Sequence, residues 1–71
     1  MPTTELTADA INLLRVMAEL DRRHQVMTVQ AGAIGAGMSY LDAFDLVNRL
    51  FGQGLLSHDL SLTDAGRKAI G

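Results

Sequence analysis

The chain has no cysteine, no tryptophan, a single proline and only three aromatic residues, Tyr40, Phe44 and Phe51. Without cysteine there is neither a disulfide framework nor a thiolate metal site. No apolar run approaches the roughly 20 residues of a membrane span. Charge of one sign is also lacking: six lysines and arginines face eight carboxylates, for a net charge of −2 and a pI of about 5.4. That balance offers no general attraction to nucleic-acid phosphate or to an anionic membrane. The first ten residues, MPTTELTADA, have neither the basic nor the apolar region of a secretory signal. The expectation is a soluble, cytoplasmic protein with no membrane contact.

What is present is a short, apolar-rich chain. Its 71 residues fit one domain, and 48% of them are hydrophobic, enough for a small core. A domain this size buries only about 60% of its extended surface. Its stability must therefore come from tight apolar packing or from a partner subunit. Residues 1–6, with Pro2 and two threonines, read as a flexible arm.

The apolar spacing then marks successive helices. Thr7 is placed to cap a helix running from Ala8 to about Arg22, with Asp9 near its positive end. Ala10, Leu13, Leu14, Met17 and Leu20 form its inner stripe, widened by Ile11 and Ala18. Arg22-Arg23-His24 ends it, where cations suit the helix dipole. Thr28 caps a glycine-rich second helix, Val29 to about Gly35, which needs tertiary packing to persist. Gly37 suits a turn of positive φ, and Ser39 caps a third helix with Asp42 in a capping-box position. In that helix Leu41, Phe44, Val47, Leu50 and Phe51 are expected to point inward, with Gly52 or Gly54 as the stop. Leu55 to His58 and Leu60 to Leu62 alternate like two tiny strands around Asp59. Thr63 caps a closing helix over 63–70.

Three features of residues 27–70 carry a resemblance. The first is a helix-turn-helix pattern over 28–52, with small Ala33, Gly37 in the turn and a helix beginning at Ser39. The second is Leu46-Val47…Leu50…Gly54-Leu55-Leu56, a helix running into a strand. The third is Leu62-Thr63-Asp64-Ala65-Gly66-Arg67. Together they resemble the winged helix-turn-helix domain of small bacterial or phage regulators, of the multiple-antibiotic-resistance repressor type. The resemblance implies a mainly α fold: a three-helix bundle, a minimal wing over 55–62, and a C-terminal helix. It also implies a transcriptional regulator acting as a homodimer, with the third helix in the major groove of double-stranded DNA. Mapped onto this chain, Ser39, Tyr40, Asn48 and Arg49 would meet bases, and Arg22 and Arg23 would hold phosphates. Arg67 and Lys68 would add contacts if they shared that face.

The same residues support another reading. The basic wing-tip residues of that family are missing, and Asp42 and Asp45 would face phosphate and repel it. An acidic third helix instead suits a protein-interaction module, an inhibitor or adaptor, with Met38, Tyr40, Asp42 and Asp45 against a basic protein surface. Enzyme chemistry is not expected. Gly32 to Gly37 lacks the spacing and the lysine of a phosphate loop. His24 and His58, even with Asp59 beside one of them, read as surface residues rather than metal ligands. No cofactor is expected.

Overall fold

The structure is a computed structural model that describes residues 7–70; the expected arm, 1–6, lies outside the described residues. Among the described residues the chain forms four helices: α1 (Ala8–Arg22), α2 (Val29–Ala36), α3 (Tyr40–Gly52) and α4 (Asp64–Ala69). Each begins for the same local reason. Thr7, Thr28, Ser39 and Thr63 have extended backbones, and their side-chain oxygens accept hydrogen bonds from the N–H groups of Ala10, Ala31, Asp42 and Gly66. The distances are 3.1, 3.0, 3.2 and 3.1 Å. A cap of this kind contributes about 1 kcal/mol.

Three of the helices also end alike. After α1, α2 and α3 the chain turns left-handed at His24 (φ 59°), Gly37 (φ 71°) and Gly54 (φ 74°). The N–H groups of Gln25, Met38 and Leu55 then reach back to the carbonyls of Leu20, Ala33 and Leu50 at 3.0, 3.0 and 2.9 Å. This closure satisfies carbonyls the helix leaves open. Glycine suits it; His24 adopts it at a steric cost.

The core is purely apolar. Leu13, Leu14 and Met17 of α1 and Leu50 of α3 are fully enclosed, joined by Ala10, Val47, Leu56 and Leu62. α2 lies close on α1 because its facing residues are small: a Cβ on Gly32 would come within 2.8 Å of Met17, and one on Gly35 within 2.6 Å of Val16. Asn12 ties the pair further by donating from Nδ2 to the Ala36 carbonyl at 3.1 Å.

α3 departs from expectation in its orientation. Ala43, Val47 and Leu50 face the core, and Leu46 and Phe51 are half-buried. Leu41 and Phe44, expected inside, are exposed by 76% and 46%. The reason is angular. α2 and α1 pack against one side of α3, and positions 43, 47 and 50 already occupy that side at helical spacing.

The expected two-stranded wing is also reduced. Among the described residues there is no strand, only one antiparallel bridge between Leu56 and Leu62. Each arm is too short for more, because α4 begins at Asp64, directly after Thr63. Ser57 N–H donates to the Ser61 carbonyl at 2.9 Å, and Leu60 N–H donates to the Ser57 carbonyl at 3.0 Å. Leu60 is left-handed (φ 69°), a position where glycine is usual, and its side chain packs on the core. Thr63 clasps the base of the loop: its N–H donates to the Leu55 carbonyl and its hydroxyl to the Gly54 carbonyl, at 3.2 and 2.7 Å.

α4 approaches this clasp at Gly66, where a Cβ would lie 2.2 Å from the Leu55 carbonyl oxygen. Gly66→Ala should therefore lower stability by about 2 kcal/mol or more, since backbone must move. His24→Gly should raise it by about 1 kcal/mol by relieving the left-handed strain. Urea unfolding of both variants checks the pair. Equal stabilities would mean that neither the contact nor the strain exists.

Candidate interaction face

The residues on α3 divide into three stripes. Ala43, Val47 and Leu50 form the inner one. A second stripe, Tyr40, Leu41, Phe44 and Asn48, faces solvent. Tyr40 and Phe44, one turn apart, stack with ring centroids 6.1 Å apart and planes at 15°. Leu41 neighbours Phe44 at i, i+3, so three large apolar side chains form one exposed ridge. The third stripe is charged: Asp42, Asp45 and Arg49 are all exposed. Arg49 donates its charge locally, with Nη2 3.2 Å from Asp45 Oδ2.

The charged stripe borders a shallow groove between α3 and the start of α1, of about 310 Å³. Among the described residues, Met38 and Leu46 supply its apolar surface, Asp9, Asp42 and Asp45 its carboxylates, and Arg49 its one cation. Asp9 and Asp42 lie in the first turns of α1 and α3, where carboxylates suit the helix dipole. Asp45 sits a turn deeper, beyond that explanation.

The basic residues do not gather. Arg22 and Arg23 both bind Glu19, at 2.6 and 2.8 Å. The Arg22 hydrogen bond, with the Arg23 one beside it, lowers the Glu19 pKa below the usual carboxylate value. Arg22 lines a separate groove with Ala18, Leu62 and Arg67, and Arg67 lies 3.9 Å from Asp21. Arg49 instead stands beside Asp9, at the opposite end of α1. At 1.5 Å per residue the two ends are roughly 20 Å apart. Arg22 and Arg23, expected on phosphate, thus stand at the other end of α1 from Arg49, expected on bases, and Arg67 lies with Arg22 rather than with Arg49. Ser39 is engaged as the α3 cap. Of the base-reading candidates, Tyr40 and Asn48 remain outward, with Tyr40 stacked on Phe44. The structure thus brings together Met38, Asp42 and Asp45 of the protein-contact set, with Tyr40 on the adjoining stripe.

Sequence reasoning missed Leu41 and Phe44 as surface residues and Asp9 as part of the groove. It also passed over a readable signal. Glu19 precedes Arg22 and Arg23 by three and four residues, and Asp45 precedes Arg49 by four, the spacings at which helical ion pairs form.

The hairpin tip is acidic as well. Asp59 Oδ1 accepts hydrogen bonds from the Ser57 hydroxyl, from the Ser61 hydroxyl at 2.6 Å and from the Ser61 N–H at 3.1 Å. His58 lies against Phe51, ring centroids 6.1 Å apart, which fixes the tip to α3. Among the described residues no group of three His, Asp or Glu side chains could hold a metal ion. No described helix is long and apolar enough to cross a membrane.

The fold and the face together define a small, mainly helical domain with an apolar and acidic ridge along its third helix. No family model matches the chain, and no curated protein or solved structure matches it.

The hairpin yields a pH prediction. The hydrogen bonds from Ser57 and then Ser61 pull the Asp59 pKa down from the ordinary 3.8 to about 2. Its folded pKa is depressed, so its contribution is present above the unfolded value and is lost as pH falls from about 4 through about 2. Following the Ser61 amide by NMR over that window should show the hairpin loosening before or with global unfolding. In Asp59→Asn the amide should be insensitive to pH over the same range. An amide equally pH-dependent in both proteins would place the titration elsewhere.

Proposed function

We propose that this domain is a protein-docking module, built on a reduced winged-helix scaffold, whose contact surface is the outward face of α3. The scaffold reading is supported by element order: three capped helices, a turn at Gly37, a hairpin closed by the Leu56–Leu62 bridge, and a closing helix. The functional reading is supported above all by one observation. The helix that would enter DNA carries an exposed Tyr40–Leu41–Phe44 ridge beside Asp42 and Asp45, and its only cation is held by Asp45. Exposed aromatic and aliphatic clusters are surface that water disfavours and a protein partner covers. Carboxylates on the same face repel phosphate and complement a basic protein surface. An inhibitor or adaptor role fits a domain of this size and charge.

DNA reading by a homodimer through the same helix is the second hypothesis, favoured by the outward position of Tyr40 and Asn48. The two separate in solution. Fluorescence anisotropy with random and genomic duplexes, at about 50 and 200 mM salt, should show no sequence-selective binding. A DNA reader would instead bind selectively and lose affinity steeply between those salts. Such binding, weakened by Asn48→Ala, would replace the docking proposal with the DNA one.

A further inference from the structure

The two outward stripes of α3 meet along one line. Leu41 and Asp45 are one turn apart, so the apolar ridge of Tyr40, Leu41 and Phe44 adjoins the acidic groove directly. Met38 and Leu46 line the groove together with three carboxylates, one of which is already bound to Arg49. No described cation pairs with Asp9 or Asp42. A long cationic side chain fits both parts: its methylene stem lies on methionine and leucine, and its charged head meets carboxylate.

We infer that the partner docks a basic amphipathic segment in which apolar side chains cover the Tyr40–Leu41–Phe44 ridge and a neighbouring lysine or arginine enters the groove between Asp9, Asp42 and Asp45. This inference rests on the protein-docking reading and specifies its chemistry. It adds α1 to the site through Asp9. Charge selects this occupant over a second copy of the chain. In a two-fold contact centred on Phe44, Asp45 would stand near the copy's own Asp45, and both copies would bring the same acidic groove. Like charges so placed oppose association, whereas a basic segment relieves them.

The test is selection of phage-displayed random peptides on the immobilised full chain, followed by titration of synthetic versions of the enriched peptides. Enriched peptides should carry lysine or arginine beside leucine or aromatic residues. Their affinity should fall about tenfold or more on Asp42→Lys, on Asp45→Lys and on Phe44→Ser. Asp21→Lys, a reversal at the other end of α1, should leave it unchanged. Circular dichroism verifies that each variant folds. Peptides that need Phe44 but ignore Asp42 and Asp45 would overturn the cation-binding inference and leave the docking reading standing. Failure to enrich any peptide, or binding indifferent to Phe44 and both aspartates, would overturn the inference and the reading together. A concentration-dependent dimer abolished by Phe44→Ser would assign the ridge to a second copy and overturn the basic-segment inference.

Discussion

The packing of Leu13, Leu14 and Met17 against Leu50 is the contact on which the rest of the domain depends. With no disulfide and no buried ion pair among the described residues, apolar burial is the main long-range force joining α1 to α3. Each enclosed side chain of this kind is worth about 1.5–3 kcal/mol relative to exposure. Together with the packing of α2 on α3, the contact fixes the rotation of α3. Once positions 43, 47 and 50 turn toward α1 and α2, positions 40, 41 and 44 must turn away. The exposed ridge is a geometric consequence of a core too small to take every apolar residue on the helix.

The end of α3 and the start of α4 are held by backbone rather than by side-chain bulk. The Leu55 N–H closes α3, its carbonyl receives the Thr63 N–H, and Gly66 lets α4 rest on that same carbonyl. Asp59 arranges Ser57 and Ser61 around the hairpin turn, and Leu60 accepts a left-handed backbone in return for a place on the core. The hairpin therefore serves mainly to bring Leu56, Leu60 and Leu62 to the core. The tip, Ser57 to Ser61, holds a carboxylate and no lysine or arginine, which leaves it poorly suited to reach along a phosphate backbone.

The helices were legible in the sequence because their starts are chemical. Thr7, Thr28, Ser39 and Thr63 each lie three residues before the amide they satisfy, and Gly37 and Gly54 stand where the backbone turns left-handed. The facing of α3 was not legible. Its apolar residues, 40, 41, 43, 44, 46, 47, 50 and 51, cover much of the circumference, so periodicity alone does not choose a buried side. Only the positions of α1 and α2 choose. The groove was hidden for a similar reason: Asp9 and Asp42 each read as a helix-start residue, and nothing local shows that those two starts lie side by side. The reduced wing reflects how few residues it has, since one extended residue, Thr63, both donates across to Leu55 and caps α4.

The central claim is that Leu41 and Phe44 belong to the surface and not to the core. Replacing both by glutamine and comparing thermal and urea unfolding with the parent chain tests it most directly. The account predicts a stability change within about 1 kcal/mol, because neither side chain is enclosed. A loss of several kcal/mol, the size expected for emptying Leu50, would place them in the interior and remove the surface on which the functional reading stands.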